Sequence, residues 1–227
     1  IKGDIIDTGL AGVRPGGGAS AGNWGTGVVT LTAAGNIVLD DPTTEFPTTG
    51  GVVFNAKNVT LSPLGSGSTP IYLGSVGSTS VASGNLTVTS AIGSILSNGA
   101  LSVAGDASFQ AAGTGTSLTL AQSGNKFGTL KFVGQNVAIV ESDDMAIVTG
   151  SSALGSAQLS SGGNITVKNA GGAVNFNGIT FMSATGSITL PKLVQNVAGL
   201  TVNAAGTKDL SAAVTAIARK DANPSNA

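Results

Sequence analysis

The chain has no His and no Cys, so carboxylates, hydroxyls and a few lysines are left to do chemistry. The tightest carboxylate grouping is Glu141, Asp143 and Asp144. On an extended strand Glu141 and Asp143 lie two positions apart and share a face. Such a pair suits coordination of a hard cation, calcium above all, or paired acid–base work on a glycosidic bond. Either use draws further carboxylates and a Lys or Arg from neighbouring strands. Lys131 is the nearest basic residue in sequence, and no second acidic cluster stands one repeat away. Glu141, Asp143 and Asp144 therefore read as a solvated corner, and Asp40, Asp41 and Glu45 as a loop turn.

Other motifs lose their chemistry on inspection. Without His there is no imidazole base, triad or His-ligated metal, and without Cys no thiolate site or disulfide. Strings resembling GxSxG arise by chance in a chain with 35 Gly and mean little without a His partner. The Gly-rich stretches lack the long helix that follows a phosphate-binding loop, and the calcium-binding nonapeptide of β-rolls is absent. Asn58, Asn85 and Asn164 each open an N-glycosylation triplet. The stronger reading places them at corners before strands, where Asn stacks on Asn in a ladder. No catalytic residue and no cofactor are expected.

The elements that would position these residues follow one rhythm. Gly84 to Leu120 reads GNLTVTSAIGSILSNGALSVAGDASFQAAGTGTSLTL, in which short alternating tetrads recur: Leu86 and Val88, Leu101 and Val103, Leu118 and Leu120. Alternation of this kind puts the apolar members on one side of a strand and Thr or Ser on the other. The same tetrads run from Val28–Leu31 to Gly199–Val202, with Phe132, Phe176 and Phe181 read as inward members. The loops that carry Pro42, Pro47, Pro63 and Pro70 are excursions, because Pro cannot donate to a ladder. Equivalent tetrads return after roughly 20–25 residues, a structural-repeat spacing.

Composition narrows the class. Hydrophobic residues make up 41% of the 227 residues, aromatics 4% and charged residues 9%, well below the usual quarter for charge. A core can be buried, but Ser, Thr, Asn and Gly must cover it. A formal net charge of −1 gives no basic stripe for nucleic acid, and no apolar run is long enough to span a bilayer. A chain that opens at Ile1 reads as a processed or excised segment. A sandwich or antiparallel barrel needs longer hairpinned strands. Strands of four or five residues with tight corners instead predict an all-β, parallel β-solenoid, each strand stacked about 4.8 Å from its copy in the next coil.

The segment GNLTVTSAIGSILSNGALSVAGDASFQAAG, with SGNKFGTLKFVGQNVAIVESDDMAIV after it, resembles the repeats of large bacterial exoproteins of the filamentous haemagglutinin type, over roughly residues 28–210. The resemblance implies a right-handed parallel β-helix that is exported and serves in adhesion, biofilm matrix or contact-dependent interactions. Residues 1–27 are then an N-terminal arm or cap, 28–210 the β-helix, and 211–227 a last rung with a loose tail. The spacing of Leu210, Ala213, Val214, Ile217 and Ala218 also fits a helix.

Two functions are expected to compete. The first is an extracellular or cell-surface structural solenoid: a fibre, surface layer, biofilm-matrix filament or adhesin shaft. Its partner is itself, head to tail, with surface glycans as further ligands. Ile5, Ile6, Trp24, Val214 and Ile217 would form the interface, the first two as a strand added to the next subunit. Trp24 reads equally as a cover over the first apolar layer or as a half-buried loop residue. The second function is a polysaccharide-cleaving or glycan-binding β-helix, which would need aromatic platforms that one Trp, one Tyr and 7 Phe supply poorly.

Overall fold

A computed structural model describes residues 2–7, 27–40, 46–47, 49–62, 70–168, 174–190, 193–195 and 199–209. Short strands, each paired in parallel with its copies one turn earlier and later, wind into a solenoid of about seven turns. No helix occurs among the described residues, so none is long and apolar enough to cross a membrane. Trp24, Asp41, Glu45, Val214 and Ile217 lie outside the described residues.

Each turn has three faces. Face A begins at Val28–Thr32 and runs through Gly51–Ala56 and Thr79–Ala82 into the first residues of Ala100–Ala111 and Lys126–Gly134. Face B begins at Ile5–Asp7 and runs through Asn36–Leu39, Asn58–Leu61 and Leu86–Ser90 into the later residues of Ala100–Ala111 and Lys126–Gly134. Beyond these it divides: Leu130 pairs on to Met145–Val148, Ile165–Lys168 and Ile188–Thr189, and Val133 and Gly134 to Ser152–Ala153 and Val174–Phe176. Face C is formed by Ile71–Leu73, Ile95–Ser97, Ser117–Leu120, Asn136–Glu141, Ala157–Ser161, Ile179–Ala184 and Gly199–Ala204. One turn takes 20 residues between the paired positions Val137 and Ala157. It takes 27 between Val59 and Leu86, the extra length lying between Leu61 and Ile71.

Like sits over like inside. Ile37, Val59, Leu86, Ala107 and Leu130 form one axial column, and all five are buried. Aromatic rings fill the wider turns: Phe109 meets Phe127 edge-on at 5.7 Å between centroids, and Phe132 lies 6.1 Å from Phe176. Removing each large aliphatic side chain from water stabilises the coil by about 1.5–3 kcal/mol. No single layer holds the rod, and every turn depends on its neighbours for burial.

The corners are tied by side-chain ladders along the axis. Between faces A and B, the Asn36 N–H donates to Asp4 Oδ1 (2.6 Å) and Asn58 Nδ2 donates to Asn36 Oδ1 (2.8 Å). The Asn85 N–H then donates to Asn58 Oδ1 (2.9 Å), and the Asp106 N–H to Asn85 Oδ1 (2.9 Å). At the corner just before Met145, Ile165 and Ile188 a second ladder joins Asp144, Asn164, Ser187 and Thr207. A third passes from Asn136 to Ser156. The glycine before such a residue has a reason: a Cβ on Gly84 would strike Asn58 Oδ1, and one on Gly105 would strike Asn85 Oδ1. Asn58, Asn85 and Asn164 are thus rungs of corner ladders.

Four expectations change. Strands are not uniformly short, since Ala100–Ala111 and Lys126–Gly134 each continue round a corner from face A to face B. They stay extended there because the pairing absorbs a register shift between Val103 and Asp106. Phe181 points outwards, 37% exposed, while Thr180 and Met182 take the inward places. Pairing of Leu159 with Met182 fixes that phase. Phe46 is buried in the core cluster, so the Pro47 loop is not wholly an excursion. Finally, Ile5–Asp7 is not a free arm: it is laid parallel on Asn36–Leu39 of its own chain, with Ile5 half-buried and Ile6 exposed.

Candidate functional site

The three acidic residues that the sequence groups together do three different things. Strand Asn136–Glu141 ends at Glu141, and the chain bends at Ser142 and Asp143. Alternation breaks at that bend, so Glu141 and Asp143 do not share a face. Glu141 points inwards and is 1% exposed. Its Oε1 accepts the Phe127 N–H at 2.8 Å, and its Oε2 has no hydrogen-bond partner. Burial away from water raises its pKa from the ordinary 4.5 to about 8. The Phe127 N–H opposes that rise, while the charges of Asp143 and Asp144 add to it.

Asp144 belongs to a ladder: its Oδ1 accepts both the backbone N–H (2.7 Å) and the Nδ2 (2.9 Å) of Asn164. Asp143 is exposed and faces Lys126, with Nζ to Oδ2 at 3.8 Å. Lys126, one turn earlier, is therefore the basic neighbour, rather than Lys131, which faces outwards on face B. A pair this exposed contributes about 0–1 kcal/mol. Among the described residues no three carboxylates converge to hold a metal ion.

Glu141 is one of several buried polar side chains with a shared task. Ser80 Oγ accepts the Phe54 N–H at 3.3 Å, Asn125 Oδ1 the Leu101 N–H at 2.9 Å, and Ser151 Oγ the Phe132 N–H at 3.2 Å. Each donor lies in the preceding turn, where backbone pairing is interrupted. An orphaned N–H inside the coil would cost about 1–3 kcal/mol, and these side chains remove that cost. Asn125 also donates through Nδ2 to the carbonyls of Leu120 (3.0 Å) and Val140 (3.1 Å). Sequence reading missed this inner row, although polar residues at inward phases of the tetrads, such as Ser80 in TSVA, are its signal.

Outside the same corner, three consecutive turns form a cleft of about 610 Å³. Asp143, Asp144, Thr166 and Lys168 rim it, and Gly128, Gly162 and Gly163 leave its floor low. Phe127 is its aromatic lining residue but is almost wholly buried, so no ring is presented for stacking on a sugar. The other sequence candidates do not join this site. Ile5 and Ile6 stand several turns away, on the first strand of face B.

Residues 56–132 and 134–202 match the family described as repeats of unknown function (DUF5649). No curated protein and no solved structure matches the chain. The two matched windows meet at Val133, within strand Lys126–Gly134.

Proposed function

Because the chain belongs to the family of repeats of unknown function (DUF5649), its role has to be read from the coil itself, and we propose that it is structural. It is the shaft of an exported fibre, surface layer, matrix filament or adhesin, lengthened by stacking the end coils of successive copies. The observation that carries this reading is the set of axial ladders. Asp4, Asn36, Asn58, Asn85 and Asp106 lock turn to turn in one row, and Asp144 begins another. Such rows resist bending and sliding along the axis, which is what a shaft needs. They organise no convergent chemistry.

The edges support stacking. On Gly199–Ala204, Leu200, Val202 and Ala204 are only half-buried, and no described strand pairs beyond it. At the other end, Ile5–Asp7 exposes an edge with Ile6 upon it. Unpaired parallel edges are templates for another strand, and a heterologous contact that does not close yields a filament. The test is electron microscopy with sedimentation velocity on the intact chain over a range of concentrations. Rods that lengthen at constant width support the proposal, and rods of one fixed length at every concentration overturn the polymer.

The cleft at Asp143 and Lys168 favours a second reading, binding or cleavage of an extracellular glycan. Release of new reducing ends from a polysaccharide, abolished by Asp143→Ala, would support it over the structural role.

A further inference from the structure

Face C differs from the other two in charge. Its seven strands contain one charged residue, Glu141, and that side chain points inwards. The outer surface of face C therefore carries no charge, whereas Lys126 stands on face A, and Lys131 and Lys168 in the stack that continues face B. Down its centre an unbroken outward column runs from Tyr72 through Leu96, Thr119, Ala138 and Gln158 to Phe181.

Apolar exposure concentrates there too. Of the seven exposed large hydrophobic side chains among the described residues, Ile179 (66%) and Phe181 (37%) lie on face C. Ile92 (43%) and Leu154 (53%) stand at the corner that leads into it. The outward phase of Ile179 and Phe181 is held by the pairing of Ala157–Ser161 with Ile179–Ala184. These two side chains are not exposed by fraying of an end.

We propose that face C is a lateral interface that pairs two copies of this chain side by side, sheet against sheet. Three observations select a second copy as the occupant. The cores of protein interfaces are depleted in charge and enriched in Tyr and Phe, which this column matches. The formal net charge of −1 leaves almost no repulsion between copies. The footprint is also sufficient. Strands about 4.8 Å apart and five residues wide give roughly 30 Å by 16 Å, or about 1,000 Å² over a pair, at the lower bound for a specific interface. Two flat parallel-stranded faces meet about 10 Å apart, with their outward columns interleaved. Lateral pairing is independent of end-to-end growth: the first doubles the cross-section, the second the length.

The test compares the intact protein with Thr119→Lys/Gln158→Lys on face C and Thr87→Lys/Ser108→Lys on face B, each adding the same charge at outward positions. Circular dichroism confirms that both variants keep the fold. Small-angle scattering then reads the cross-section, and sedimentation velocity the association. The expected result is a paired cross-section for the parent and the face B variant, and about a tenfold or greater rise in dissociation constant for the face C variant. A single-coil cross-section for the parent overturns the proposal, as does equal weakening by both variants. Retention of a single-coil parent on insoluble polysaccharide, lost in the face C variant, overturns it in favour of a carbohydrate occupant. Rods that fail to lengthen but still pair would refute the filament and leave lateral pairing standing.

Discussion

Glu141 makes the solenoid sensitive to alkali, and the size of the effect follows from its burial. Unfolded, its carboxyl titrates at the ordinary 4.5; folded, it holds its proton to about 8. Below 4.5 both states are protonated and the residue contributes no pH dependence. Between 4.5 and 8 the unfolded chain ionises while the folded one does not, so the unfolded state binds fewer protons and stability falls as pH rises. Above 8 both states are ionised and the loss levels off. At about 1.36 kcal/mol per pH interval of one, the span corresponds to a loss of about 5 kcal/mol, set against a usual total of about 5–15 kcal/mol. The perturbation is Glu141→Gln, whose carbonyl keeps the acceptor for the Phe127 N–H while removing the ionisation. Urea unfolding at pH 5, 7 and 9 is the assay. The parent midpoint should drop steadily across that range and the Gln variant should hold nearly flat. Parallel profiles for the two proteins would refute the buried, uncompensated carboxyl.

Two further perturbations probe the core and the ladders. Phe132 is fully buried and in ring contact with Phe176, so Phe132→Ala should lower stability by about 3–5 kcal/mol, read as a fall in the urea midpoint at pH 6. Gly84→Ala drives a Cβ against Asn58 Oδ1 and to 2.9 Å from the Lys57 carbonyl. It should cost about 1–3 kcal/mol, and the double variant with Asn58→Ala should cost less than the two single changes added together.

Much of this architecture is legible in the sequence because it rests on period two. Leu86 and Val88, or Leu118 and Leu120, alternate with Thr, and water decides which side faces in. Ile179–Ala184 shows where that logic fails. ITFMSA offers apolar residues at both phases, Ile179 and Phe181 against Met182 and Ala184, so its own pattern does not choose. The choice is made by Leu159, whose inward position one turn earlier sets the register. The acidic corner fails for a related reason. Counting by twos from Glu141 reaches Asp143 on the same side only if the strand continues, and the bend at Ser142 turns the second carboxylate outwards. What a tetrad pattern cannot carry is the phase at a corner.

The corners have a code of their own, written between turns rather than within one. Gly84 is small because Asn58, a turn earlier, reaches under it, and Gly105 is small because Asn85 does. At four corners a Gly followed by Asn or Asp therefore records a side chain one turn upstream, 20 to 32 residues away. Gly35-Asn36, Gly84-Asn85, Gly105-Asp106 and Gly163-Asn164 are its instances. Read this way, the same dipeptides that look like glycosylation signals or flexible turns become statements about stacking. They also explain why so little charge is needed, since amides satisfy the corner N–H groups without introducing repulsion between like residues stacked about 4.8 Å apart. Asp4 and Asp144 each head a row, Asp144 accepting from both the backbone N–H and the side-chain amide of Asn164, while Asp106 closes its row and accepts the Thr129 hydroxyl. An acid stacked directly on an acid would lose both donors and gain a like charge, and no described ladder contains that pairing.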